Sequence, residues 1–283
     1  MKKIVLIYSL LIYGIFHSQI ISGKIFSDEN NQPIAFARIG IINESIGSVT
    51  DENGNYKIDL SNIDTSKEIT VQLGGYVSFV QKIQDFIKLN SHNIILKEKV
   101  NEIAEVKISP KTFENKNWGV NSKSKKMGFW YTSKGNADDN WLNELAILFQ
   151  NKKRVKIEKI NINVAQFETE KPVVLNFNIY SNENKRPGKS ILSENLSVEI
   201  TKEKIIDGTF TYDLSDKSIW IDKEDFYISM QIMDGFKGKL GFSAALLSTV
   251  YLRSYYEKWE KIPVGRPAIN IDVKIEKEKR RKK

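Results

Sequence analysis

The chain contains no cysteine among its 283 residues. No disulfide can staple it, and zinc or copper sites built from thiolates are excluded. Stability must come from buried apolar area, and a chain of this length can hold two cores of ordinary domain size. Histidine is nearly absent as well: His17 and His92 are the two copies. His17 falls in the leader described next, which leaves one imidazole. His92 stands between Ser91 and Asn93, a turn setting that does not suit the base of a Ser-His-Asp triad. A single imidazole also cannot build a histidine-rich metal site.

Long hydrophobic runs are missing too. Ile4 to Phe16 is apolar apart from Ser9, the tyrosines and Gly14. This run is well short of the ~20 residues a membrane-spanning helix needs. With Lys2 and Lys3 before it and the small Ser18 after it, residues 1–19 read as a cleaved signal peptide. No cysteine follows the run, so a lipoprotein anchor is excluded. The apolar stretch 243–252, SAALLSTVYL, is also too short to span a bilayer and reads as a short helix or a buried strand.

A formal net charge of +8 raises the question of nucleic acid. Lys2 and Lys3 leave with the signal, and Lys274 to Lys283 holds seven basic and two acidic residues. Those two segments account for all but about one unit of the charge, by formal counting. The basicity therefore belongs to a tail, not to a groove. The body shows no basic face interleaved with aromatics, which excludes a nucleic-acid reader. The tail, 276–283, reads either as a solvated terminus or as a weak, salt-sensitive contact with anionic headgroups or polysaccharide.

What is present is alternation. In IISGKIF, Ile21, Gly23 and Ile25 alternate with Ser22 and Lys24, the period of a half-buried strand. Asp28 to Asn31 supplies a turn, and Pro33 restricts the entry to the next strand, in which Ala35, Ala37, Ile39 and Ile41 share a face and Phe36 opposes them. Asp51-Glu52-Asn53-Gly54-Asn55 makes a second turn before Tyr56 and Ile58 resume the alternation. The spacing predicts a β-meander. Asp51, Asn53 and Asn55 are oxygen ligands at alternate positions, but Gly54 comes fourth and Asn62 stands where a hand loop needs glutamate, so a turn explains them better than calcium does.

ISGKI, QPIAFARIGI and GSVTDENGNYKI, with Gly75-Tyr76 and NEIAEVKIS at 101–109, resemble the carboxypeptidase-like regulatory domain, a small transthyretin-like β-sandwich of exported Bacteroidetes proteins. The resemblance covers about residues 20–109. It implies a fold and an exported setting, and carries no peptidase activity with it.

Residues 110–126, PKTFENKNWGVNSKSKK, are polar and without period and read as a linker. Trp118 within it is either an anchor for the linker or the first core residue of the next domain. Residues 127–275 read as a second sandwich, resembling jelly-roll or carbohydrate-binding-like tails. WLNELAILF at 141–149 fits a helix stripe or a two-sided strand, and the strand is preferred because its surroundings are strand-like. A register slip near Lys159 reads as a β-bulge. VVLNFNIYS at 173–181 is the clearest strand, with Val173, Leu175, Phe177 and Ile179 on one face.

The chemistry is sparse. Asp138 with Asp139, and Asp222 with Glu224 and Asp225, are the visible carboxylate clusters. Sequence neighbours on a strand point to opposite faces, so neither is a good acid–base pair for glycoside hydrolysis. The aromatics are many, and an exposed ring can stack on a sugar whereas a buried one fills the core. The ligand-binding candidates are Trp130, Tyr131, Asp138 and Asp139. The expectation is an all-β, exported, non-enzymatic protein of the periplasm or outer-membrane surface of a Gram-negative bacterium, with no catalytic, cofactor or metal residues. Its partner would be an envelope protein or a polysaccharide; a glycan-binding module and, more remotely, a carboxylate-based glycosidase are the alternatives.

Overall fold

The computed structural model describes residues 19–99, 112–134, 143–233 and 236–277. The chain divides into two compact units, one of Met1–Gln72 with Val77–Glu98 and one of Leu73–Tyr76 with Lys99–Lys283.

The first unit comprises β1 (Ile20–Ser27), β2 (Arg38–Ile41), β3 (Gly47–Val49), β4 (Asn55–Asp59), β5 (Glu68–Gln72), β6 (Phe79–Lys82), the single helical turn α1 (Ile83–Phe86) and β7 (Ile94–Leu96). Two sheets form, in the orders β4-β1-β7 and β3-β2-β5-β6. The alternation read in the sequence fills the space between them: Ile21, Ile25, Ile39, Ile41, Ile58, Ile69, Val71 and Phe86 are all buried. The predicted meander is wrong in its connections. β1 pairs with β4 and, in parallel, with β7, whereas β2 pairs with β3 and β5. The two turns therefore carry the chain from one sheet to the other instead of closing hairpins. Period two reports which side chains face a core, not which strand lies alongside.

Two backbone features make these crossings. Phe36 takes φ 62°, so β2 begins only at Arg38 and the expected alternation from Ala35 is interrupted. Buried Thr50 fixes this corner by donating to the Ile34 carbonyl at 2.7 Å and accepting the Ala37 N–H at 2.8 Å. At the second corner Gly54 takes φ 74°. The Asp51 carboxylate there accepts the N–H groups of Asn53 and Asn55 and the Asn55 amide, at 2.8–2.9 Å. With these donors aimed at it, the carboxylate serves the turn, as its sequence suggested.

The second unit runs β8 (Phe113–Gly119), β9 (Gly128–Lys134), β10 (Asn143–Phe149), β11 (Val155–Thr169), β12 (Val173–Glu183), β13 (Arg186–Ser190), β14 (Leu196–Ile200), β15 (Ile205–Ile206), β16 (Thr209–Asp213), β17 (Trp220–Ile221), β18 (Phe226–Ile232), β19 (Lys237–Leu246), β20 (Val250–Ser254), β21 (Glu260–Ile262), β22 (Gly265–Pro267) and β23 (Ile269–Glu276). A seven-stranded sheet is built on β13-β12-β18-β10-β20-β21, and a nine-stranded sheet on β15-β16-β11-β19-β22 with β23, β8, β9 and β17 attached. One core lies between them. Leu145, Ile147 and Phe149 of β10 meet Leu175, Phe177 and Ile179 of β12 and Ile160 and Ile162 of β11 there. Ala146 of β10 is buried on the opposite face, so β10 is a strand covered on both sides, as preferred. The bulge falls where the sequence slipped, between Ile157 and Lys159 opposite β23.

Two expectations need correction. The stretch 110–126 is not simply a linker: its middle, β8, pairs with β23 over seven positions from Asn270↔Gly119 to Glu276↔Phe113. A polar stretch can serve as an edge strand because only one of its faces needs to be apolar, and Trp118 supplies that contact with the core. The stretch 243–252 is neither a helix nor a wholly buried strand. It ends β19, turns through Leu247, and starts β20.

Candidate ligand-binding face of the second sandwich

The outer face of the nine-stranded sheet begins at β9. Alternation there sends Tyr131 and Ser133 inward and Trp130 outward. The register places Trp130 opposite Gly241 of β19. A Cβ built on Gly241 would stand 2.3 and 2.4 Å from the Cζ3 and Cε3 atoms of Trp130. The indole therefore lies across a glycine, and any larger residue there would displace the ring. Its outer side stays open, at 46 % exposure. Along this face, Thr132 pairs with Lys239, and Lys239 with Glu168. The arrangement is a flat apolar ring bordered by donors and acceptors.

Tyr131, expected to work beside Trp130, does not. It is 8 % exposed, and its ring meets Phe242 edge-on at 6.0 Å within the core. Burial also raises its phenol pKa. Adjacent positions on a strand face opposite ways, so two neighbouring rings cannot share one surface. Asp138 and Asp139 lie outside the described residues. Asp222 forms an ion pair with Arg154 at 3.2 Å and is largely exposed, while Asp225 accepts the Asn151 N–H. These acids thus serve a surface pair and a turn. Among the described residues no cluster of three or more His, Asp or Glu side chains could hold a metal ion.

Farther along, the same sheet face carries a ladder of amides. Asn117 donates to Asn270 at 2.7 Å and to Asp272 at 2.8 Å, and Asn161 donates to Asn270 at 3.0 Å. Thr211 and Thr209 donate to Asn161 and Asn163. Asn163 in turn donates to the Ser122 carbonyl at 2.8 Å, holding the segment after β8 onto the sheet. Beside the ladder is an open concavity of about 410 Å³, bordered by Asn115, Asn117, Glu158, Lys159, Asp272 and Lys274.

Glu158 lies between Lys274 at 2.8 Å and Lys156 at 3.0 Å. Burial acts to raise its pKa, but hydrogen bonds from both lysines outweigh that and hold it below the ordinary 4.5. A carboxylate with a depressed folded pKa contributes stability above its unfolded value and loses it as pH falls through the folded one. The protection of the β11 and β23 amides, taken relative to the intrinsic exchange rate at each pH, should therefore fall on acidification through the range below 4.5. Glu158→Gln should flatten that dependence, and an equal pH response in the variant would refute the assignment.

The outer face of the seven-stranded sheet holds what the sequence reading missed. Glu144 of β10 is 1 % exposed. It accepts from Tyr180 at 2.7 Å, from Ser229 at 2.5 Å and from the Arg253 Nε at 2.8 Å. The Arg253 guanidinium also donates to the Tyr180 hydroxyl at 2.7 Å and stacks 4.3 Å from the Trp259 ring centre. Each charge sits alone in an apolar run, NELAILF and VYLRS. An isolated charge at an alternate strand position is the signal that could have pointed to a partner.

The described residues thus form an all-β protein of two units, each built from paired sheets. Residues 21–108, which contain most of the first unit, match the family model of the CarboxypepD_reg-like domain. No curated protein matches the chain. Among solved structures, a variant of BcpA, the major pilin subunit of Bacillus cereus, is 10 % identical with a TM-score of 0.18, covering 88 % of this chain and 68 % of that one. The structure of infectious bursal disease virus Gx strain is 8 % identical with a TM-score of 0.26, covering 91 % and 75 %. Likeness this low carries no argument.

Proposed function

We propose that this is an exported, non-enzymatic binding module of the Gram-negative cell envelope, whose second sandwich holds a polysaccharide through Trp130. The observation behind this reading is the indole lying on Gly241 with one face open. A pyranose presents a patch of C–H groups that packs on such a ring, while its hydroxyls take hydrogen bonds from the polar side chains around it. The CarboxypepD_reg-like domain, a family seen on exported proteins, supports the exported setting and acts here as a spacer or docking module. Residues 1–19 would direct export to the periplasm or the outer-membrane surface.

The test is a glycan-array screen of the purified protein beside Trp130→Ala. The variant should lose about tenfold or more in affinity, the equivalent of ~1.4 kcal/mol of stacking. Its thermal midpoint should barely move, since the ring is half open to solvent. Failure of the wild type to bind any glycan above background, or equal binding by the variant, would remove the polysaccharide reading.

A further inference from the structure

A second surface lies at one end of the same sandwich and does not involve Trp130. β19 ends at Leu246 and β20 begins at Val250. Leu246 pairs with Gly265, which brings Val264, in the turn between β21 and β22, alongside. Leu246, Leu247 and Val264 are 55, 96 and 68 % exposed. Leu247 adopts φ 53°, a conformation leucine avoids. The turn is held by Ser248, whose hydroxyl donates to the Ala245 carbonyl at 2.9 Å. Two neighbouring turns therefore project leucine and valine into water from a fixed frame.

Basic residues predominate in the segments that form this tip, with Glu257 and Glu260 the acids on the β20–β21 connection beside it. Ala244 donates its N–H to the Met127 carbonyl at 2.9 Å, which brings the run Lys123-Ser124-Lys125-Lys126 beside the base of the tip. Lys261 precedes the second turn, and Arg266, half-buried with its Nε out of solvent, pairs with Ala245 on the face opposite Leu246. Lys123 donates to the backbone carbonyl of Asp207 at 2.9 Å, and none of these five cations has a carboxylate partner among the described residues. The segments 120–131, 236–256 and 261–271 contain no acidic residue at all.

From this juxtaposition we infer that the tip docks on an anionic phospholipid surface, with Leu246, Leu247 and Val264 entering the headgroup–acyl boundary and the surrounding lysines meeting the headgroups. Apolar side chains inside a cationic rim match both layers of such a surface. A soluble polyanion would satisfy the cations and leave the leucines in water. A second copy related by a two-fold axis would set the same cations against each other.

The experiment is co-sedimentation of the purified protein with vesicles of phosphatidylcholine alone and of phosphatidylcholine mixed with phosphatidylglycerol, at low and high salt. The wild type should sediment with the anionic vesicles at low salt, and this should fall as salt is raised. Leu246→Ser with Leu247→Asn should lower the partition coefficient about tenfold or more. Asparagine tolerates the left-handed conformation and both positions are exposed, so the fold is kept. Lys125→Glu with Lys126→Glu should lower partitioning comparably, and removal of residues 278–283 should leave it near the wild-type value. Four results would overturn the inference: no sedimentation, equal binding to neutral vesicles, wild-type binding by the leucine variant, or loss only on removing the tail. Vesicle-free self-association abolished by Leu247→Asn would also refute it, in favour of a second copy.

Discussion

Glu144→Ala should destabilise the second unit by about 3–5 kcal/mol, the largest effect expected of any single polar substitution in this protein. Glu144 is 1 % exposed and accepts from Tyr180, Ser229 and Arg253. Its removal leaves the Arg253 guanidinium, whose side chain is only 12 % exposed, without a counter-charge. It also orphans two hydroxyl donors. The coulombic attraction of the intact pair is not the reason for so large a figure, because desolvation cancels much of that attraction. The cost comes from the uncompensated charge left behind. Replacing Glu144 and Arg253 together by methionine should therefore be much milder than Glu144→Ala alone. All five tryptophans lie in the second unit, so urea titration followed by tryptophan fluorescence reports on that unit. If Glu144→Ala costs less than about 1 kcal/mol, or if the double replacement costs as much as the single one, the pair is not the strut described here.

Gly23→Ala should loosen the first unit by about 3 kcal/mol, although it adds a single methyl group. The inward face of β1 passes so close to the β7 approach that a Cβ on Gly23 would stand 2.2 Å from the His92 carbonyl oxygen and 2.7 Å from the Tyr56 hydroxyl. The first of these is backbone and cannot swing aside. Tyr56 donates to that same carbonyl at 2.5 Å, so the methyl group would also break a partly buried hydrogen bond worth about 1 kcal/mol. Burial raises the Tyr56 phenol pKa, which keeps it a donor through the neutral range. Hydrogen exchange of the β1, β4 and β7 amides would show the loss directly, since the first unit has no tryptophan. Unchanged protection in Gly23→Ala would mean the strands can part at little cost, and the close approach would then be incidental.

Trp130 and Tyr131 show how far the candidate site could be read in advance. The sequence put two rings side by side and could not say which was wet. A strand must send neighbours to opposite faces, so only one of them could belong to a surface. Which one was settled by Gly241, more than a hundred residues away in sequence, lying opposite Trp130. Nothing local to either tryptophan or glycine encodes that meeting. The Glu144–Arg253 pair is similar: each residue interrupts an apolar run, and the distance of 109 positions between them hides the partnership.

Composition and local pattern were enough to determine that this chain is built of strands, that it has two cores, and that cysteine and clustered histidine chemistry are closed to it. Alternation and turn residues act over a few positions, and the hydrophobic effect reads them without needing to know which strand is next to which. Strand pairing, by contrast, is a non-local matter. It decided that β1 joins β4 and β7, that the polar stretch after residue 110 is the edge strand β8, and that 243–252 exposes Leu246 and Leu247 at a turn. Many pairings satisfy the same alternating pattern, and only the simultaneous packing of both sheets selects among them.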